Sequence, residues 1–145
     1  MKLRELEKND LPRLLELYTH LHANGIPKID DDLESLWDEI ITDKNHHIAG
    51  GFIGDALVSS CVIVIVRNMT HKQRPYAVIE NVVTGGAYRN RGYASQVLNF
   101  ARDIAKRENC YKIMLMTGSK EESTLRFYER AGYNRSDKTA FIQWL

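Results

Sequence analysis

Disulfides, membrane spans and charge of one sign are all missing from this 145-residue sequence. The only cysteines are Cys61 and Cys110, each inside an apolar run where a thiol usually packs as a small hydrophobe, so a disulfide framework is not expected. The longest apolar stretch, Cys61 to Val66, is far too short to cross a bilayer, and Met1-Lys2-Leu3-Arg4-Glu5-Leu6 lacks the apolar centre of a signal peptide. Twenty Lys and Arg stand against 19 Asp and Glu, a net charge of +1, which leaves no general field to hold nucleic acid or an acidic membrane. A cytoplasmic protein with locally built sites is expected. What is present is ordinary for a soluble fold: 43% hydrophobic and 27% charged residues, in a length that suits one domain over residues 1–145. No repeat, linker or low-complexity tract divides it.

Periodicity orders the chain. Asn9 or Asp10 caps a helix with Pro12 in its first turn and Leu11, Leu14, Leu15, Tyr18 and Leu21 at helical spacing, running to about Ala23 and stopped by Asn24-Gly25. A second helix, Asp30 to Ile41, starts acidic and carries Leu33, Leu36, Trp37, Ile40 and Ile41. Two helices are thus expected ahead of the sheet. Ile48 to Ile53 and Ala56 to Val66 form a hairpin about Gly54-Asp55, and Tyr76 to Thr84 is the next strand. A glycine-bearing loop then leads to a helix from Tyr93 to Lys106, a short strand from Tyr111 to Met116, a helix from Glu121 to Arg130 stopped at Gly132, and a final strand from Thr139 to Leu145. The strand-loop-helix-strand unit makes its two strands parallel.

The loop Arg89-Asn90-Arg91-Gly92-Tyr93-Ala94 joins a strand to a helix. Unpaired N–H groups at the positive end of a helix make an anion site that fits a pyrophosphate, with Gly92 letting the backbone come close, Ala94 leaving room, and Arg89 and Arg91 adding charge. A solvated basic loop capping the helix would look the same by sequence alone. No Gly-Lys-Ser/Thr follows, so it is not a P-loop, and it is not a dinucleotide glycine fingerprint.

Arg89, Gly92 and Ala94 fall on the cofactor motif of the GNAT N-acetyltransferase family, which is Gln or Arg, two free residues, Gly, one free residue, then Gly or Ala. The chain resembles that family in three further respects: Ile79-Glu80-Asn81-Val82-Val83-Thr84 looks like its fourth strand, Leu125 to Tyr133 (LRFYERAGY) like its second block, and the order of elements matches throughout. The resemblance implies a GNAT fold of the α/β (α+β) class. Its sheet would be central, mixed and mostly antiparallel, of about six or seven strands splayed between the fourth and fifth and flanked by about four helices. It implies acetyl-CoA as cosubstrate, no metal, and transfer of an acetyl group to a primary amine by direct attack. The cofactor would lie along Val82, Val83 and Thr84 and against Arg89, Asn90, Arg91, Gly92, Tyr93, Ala94 and Ser95. A backbone N–H near Val83 would polarise the carbonyl, Tyr128 would serve as general acid at the sulfur, and Glu80 would be the candidate base.

Two departures stand out. Gly85-Gly86 precedes the motif where many members carry other residues, which predicts a looser loop, and Glu121 stands where many have Asn, leaving Thr117, Gly118 or Ser119 to supply a cofactor contact.

The other polar residues read blandly. His46 and His47 face opposite sides of a strand, His20 and His22 diverge, and His71 sits in a loop, so no metal site is expected. Asp30-Asp31-Asp32 fits ordinary helix-start acidity better than an amine-attracting patch. Acceptor specificity is expected from Tyr18, His22, Trp37 and residues 24–32. Residues 108–113 resemble the corresponding strand of glucosamine-6-phosphate acetyltransferases, and a small-molecule amine is favoured over a protein tail. The alternatives are a protein lysine or N-terminal acetyltransferase and a non-catalytic acyl-CoA sensor. A nucleic-acid-binding domain built on Arg89, Arg91, Lys106 and Arg107 is disfavoured by the balanced charge. Phe141-Ile142-Gln143-Trp144-Leu145, apolar to the end, is expected to pair across a homodimer.

Overall fold

A computed structural model describes residues 1–22 and 25–145. The elements run β1 (Lys2–Glu5), α1 (Leu11–Tyr18), α2 (Asp31–Thr42), β2 (His46–Ile53), β3 (Ala56–Val66), β4 (Tyr76–Thr84), α3 (Tyr93–Arg107), β5 (Ile113–Leu115) and α4 (Glu122–Arg130). The five strands lie in sequence order, antiparallel from β1 to β4, with β5 parallel to β4. No helix among the described residues is long and apolar enough to cross a membrane.

Each face of the sheet carries helices. Leu11, Leu14, Leu15 and Leu17 of α1 and Trp37 of α2 close over Ile48, Phe52, Val62 and Val83 on one side. On the other, Val97, Leu98, Ala101, Ile104 and Ala105 of α3 pack on Ala49, Cys61, Ile63, Ala77 and Ile79, with Phe127 and Tyr128 of α4 at the margin. The helical periodicity of α3 and the β-branched run of β3 therefore meet as two faces of one core.

Several expectations are corrected. A strand, β1, precedes the two helices: it pairs Lys2 to Glu5 with Phe52 to Ala49 and was too short to show as an alternating pattern. The segment from Thr139 to Leu145 forms no strand, because it has no ladder partner and its large apolar side chains are exposed. Among the described residues the sheet accordingly has five strands, not six or seven. Trp37 is core and does not face an acceptor: it is 4% exposed and its indole N–H donates to Lys8 O at 2.9 Å. The first helix ends at Tyr18, short of the expected end near Ala23, and passes into turns through His22; Ala23 and the Asn24 of the expected Asn24-Gly25 stop lie outside the described residues. Asp30 caps α2, accepting from Leu33 N at 3.0 Å, as the bland reading of the acidic cluster requires.

Asp10 stands at the start of α1 without capping it. Its carboxylate is buried and bound by both terminal nitrogens of Arg4, with Arg4 Nη2 to Oδ1 at 2.9 Å, and it accepts from Glu7 N at 2.8 Å. This ties the end of β1 to the entry of α1.

In β4 the register with β3 slips: Val62 faces Glu80 and Ser60 faces Val83, so Asn81 and Val82 together oppose Cys61. Asn81 takes φ +52°, the left-handed region that Asn tolerates and β-branched residues do not. This is a β-bulge, which bends the strand and interrupts its ladder.

Two predictions follow from these contacts. Asn81→Val loses about 1–3 kcal/mol of stability to backbone strain while Asn81→Gly is tolerated, as read by urea unfolding. The Arg4 guanidinium holds the Asp10 carboxyl below its ordinary value of 3.8, so its contribution is fully present above that value and lost as pH falls through the depressed one. Arg4→Ala therefore costs about 3 kcal/mol at pH 7, and the deficit narrows at acid pH.

Candidate active site

Strand pairing creates the opening. β5 pairs with β4 at Ala77, Val78 and Ile79, and from Glu80 onwards no strand among the described residues lies beside β4 on that side. Gly85 N donates to Val58 O at 3.0 Å, and Ser60 and Val83 are paired. Antiparallel alternation then directs the backbone groups of Val83 towards β3 and those of Val82 and Thr84 towards the open side. Ser59 fixes this stretch from behind, its hydroxyl donating to Val83 O at 3.0 Å and lying 2.8 Å from the Thr84 hydroxyl.

At the end of β4 the Gly85-Gly86 loop, expected to be loose, is a hydrogen-bonded 3-10 turn, with Tyr88 N donating to Gly85 O at 2.8 Å. The chain then enters α3 through Gly92, which caps the helix at φ +76° with no side-chain hydrogen bond. A Cβ on Gly92 would meet nothing within 4 Å. Its requirement is therefore the left-handed backbone; the close approach read from the sequence is not crowded by protein. With no side-chain cap, the first-turn N–H groups at Tyr93, Ala94 and Ser95 remain available at the positive end of a 15-residue helix.

Arg89 lines the opening and also braces the loop. Its Nε donates to Thr84 O at 3.2 Å and its Nη2 to His20 O at 3.4 Å, so it locks the loop to the ends of β4 and α1 while its charge stays near the helix entrance. Arg91 lies over the Tyr88 ring at 6.0 Å.

One cavity of about 580 Å³ gathers these parts. Val82, Val83, Thr84, Arg89, Asn90, Gly92, Tyr93, Ala94 and Ser95 line it, and Tyr128 of α4 enters from the far side. Of the sequence-derived cofactor set only Arg91 is outside the lining. Residues missed by sequence include His20, Tyr88, Thr124 and Phe127. They carry no motif, and the fold alone brings the end of α1 and the start of α4 to this place. Among the alternatives for a contact near Glu121, Ser119 lies within 3.2 Å of the Thr124 hydroxyl and so supports a cavity residue.

Burial pushes the Tyr128 hydroxyl above its ordinary value, with the Cys61 thiol and the Glu80 carboxylate acting in the same direction. Tyr128 therefore keeps its proton at neutral pH. Glu80 is exposed beside the bulge, outside the cavity lining but within electrostatic reach of that hydroxyl. Tyr18 is half-buried on the other face; its hydroxyl reaches the Asn81 side chain, and burial raises it to about 12. No cluster of three His, Cys, Asp or Glu able to hold a metal occurs among the described residues.

The sequence pattern described as Acetyltransferase (GNAT) family matches residues 11–133. The chain belongs to the GNAT acetyltransferase family. Among its relatives, a glucosamine 6-phosphate N-acetyltransferase of Trypanosoma brucei brucei is 29% identical over 143 residues, covering 95% of this chain and 92% of that one. A solved structure from Agrobacterium tumefaciens str. C58 is 33% identical with a TM-score of 0.91, covering 99% of this chain and all of the other. The glucosamine-6-phosphate N-acetyltransferase of Arabidopsis thaliana, at 23% identity, shares the fold with a TM-score of 0.82 over 99% of this chain and 97% of that one. This GNAT protein is thus an N-acetyltransferase by family, and its open β4 edge, left-handed Gly92 and uncapped α3 suit a ligand that carries both a pyrophosphate and an amide-bearing arm.

Gly92→Glu forces a side chain into the left-handed region and sets a carboxylate at the anion site. Calorimetric titration with acetyl-CoA should show affinity reduced by at least about tenfold, roughly 1.4 kcal/mol, and Arg91→Ala should reduce it less.

Proposed function

We propose that the protein transfers an acetyl group from acetyl-CoA to a primary amine of a small molecule, by direct attack, acting in the cytoplasm as one domain over residues 1–145. The observation that carries this reading is the meeting of a helix N-terminus without a side-chain cap, a stretch of β4 with no strand described beside it and the Tyr128 side chain around one cavity.

Bound acetyl-CoA supplies an activated thioester carbonyl and a thiol leaving group. The N–H groups at the start of α3 bind its pyrophosphate, with Arg89 holding the loop in shape. The open backbone at Val82 and Thr84 pairs with its amide-bearing arm as an added strand would, satisfying groups that are costly to leave unpaired. A backbone N–H in this stretch donates to the carbonyl oxygen as negative charge builds there. Tyr128 gives its proton to the departing sulfur. Glu80, exposed to water, accepts the amine proton directly or through a water molecule.

For the acceptor, the relative from Trypanosoma brucei brucei makes an amino sugar phosphate the first compound to screen. A homodimer, expected from the apolar C-terminal segment, belongs to the same reading.

Tyr128→Phe should lower kcat by about a hundredfold or more while leaving acetyl-CoA affinity unchanged. Because the hydroxyl is raised above the ordinary tyrosine value of 10.0, the loss of rate from its ionisation lies above that pH and is absent in the variant. An unaltered kcat would remove Tyr128 as the acid.

A further inference from the structure

The hydroxyls of Ser59 and Thr84 can share their protons in only one way that keeps both of their bonds. Ser59 is fully buried, and its Oγ lies 3.0 Å from Val83 O and 2.8 Å from Thr84 Oγ1. A carbonyl oxygen only accepts, and a serine hydroxyl has a single proton to give. Ser59 therefore donates to Val83 O, and its contact with Thr84 is a hydrogen bond only if Thr84 is the donor. The opposite orientation forfeits a bond where no water can replace it.

This fixes what Thr84 shows to the cavity. Val83 packs on the α1 side of the sheet and Val82 on the α3 side, so alternation turns the Thr84 side chain to the α3 side, where the residue lines the cavity. With its proton given to Ser59, and no other bond to its hydroxyl among the described residues, Thr84 Oγ1 has only lone pairs left to offer. The carbonyl of the same residue already accepts from Arg89 Nε at 3.2 Å. Thr84 thus presents its backbone N–H and, beside it, a side-chain oxygen that can only accept.

We propose that the Thr84 hydroxyl, its proton held by Ser59, accepts a hydrogen bond from an amide N–H of the cosubstrate arm and so sets how far the arm extends into the cavity. The proposal rests on the acetyl-CoA reading above and adds to it a side-chain contact and, behind that contact, a positioning residue in Ser59. The chemistry selects the partner. Lone pairs repel phosphate oxygens, so the pyrophosphate is left to the N–H groups of α3, and a neutral N–H is the complement that Thr84 fits. Thr84 adjoins the loop held by Arg89, and a chain running from that loop to Tyr128 passes it. An amide anchored there brings the thioester to one depth in the cavity.

Calorimetric titration of four variants tests this. Thr84→Val keeps the shape and removes the acceptor; it should weaken acetyl-CoA binding about three- to tenfold, the loss of one neutral hydrogen bond, and Thr84→Ser should restore it. Thr84→Ala should behave as Thr84→Val, so the result does not hang on the folding of one variant. Ser59→Ala lets the Thr84 proton point either way; affinity should fall less, and that loss should vanish when Thr84 is already Val. Adenosine 3′-phosphate 5′-diphosphate, which carries the pyrophosphate and lacks the arm, should bind every form alike. Two acetyl-CoA analogues, each with a methylene in place of one of the arm's N–H groups, locate the contact: the Thr84→Val loss should persist with one and disappear with the other. Equal affinity of the unaltered protein and the Thr84→Val and Thr84→Ala variants for acetyl-CoA would overturn the proposal, as would a loss that persists with both analogues or extends to the armless diphosphate. Failure of the folded, unaltered protein to bind acetyl-CoA would overturn the cosubstrate reading and this contact with it.

Discussion

Beyond Ile79, strand β4 keeps a partner on one side only. A sheet interior cannot leave backbone N–H and C=O groups unpaired without cost, so this stretch must be satisfied by water or by a ligand that imitates a strand. The Asn81 bulge sits where the ladder with β5 has just ended, and its left-handed backbone bends β4 there. Everything else at the site is arranged about that interruption. Ser59 braces the strand from the β3 side, Arg89 ties its end to α1, and α4 brings Tyr128 to face it.

The electrostatics follow from backbone geometry more than from charged side chains. Gly92 turns the chain so that α3 begins without a side-chain cap, and the helix presents its N–H groups to the cavity. Arg89 and Arg91 looked like the phosphate ligands by type and position. Arg89 donates to Thr84 O and His20 O, and Arg91 rests by Tyr88. Across the cavity, burial keeps Tyr128 protonated, while exposed Glu80 meets water. The two side chains are thereby held in different surroundings within electrostatic reach of one another.

Much of this was legible because local chemistry and tertiary role agreed. Val62 to Val66 announce a buried strand, the spacing of Val97, Leu98, Ala101, Ile104 and Ala105 announces one buried helix face, and Arg89-x-x-Gly92-x-Ala94 marks the loop between a strand and a helix. β1 was not legible, since four residues alternating at a sheet edge carry almost no periodic signal. The final strand was misplaced for the opposite reason: Phe141 to Leu145 have strand composition, but composition cannot say whether an edge is available in the same chain. Trp37 was drawn to the acceptor side by its position on α2, whereas its indole finds Lys8 O in the core. His20 and Thr124 reach the cavity through the fold and carry no sequence mark at all.

The central claim is that the open side of β4 receives the cosubstrate. Amide hydrogen exchange at Val82 and Thr84, followed with and without saturating acetyl-CoA, tests it most directly. The account predicts that exchange in this stretch slows on binding while Ile79, already paired to β5, changes little. Binding with no added protection anywhere from Glu80 to Thr84 would contradict it.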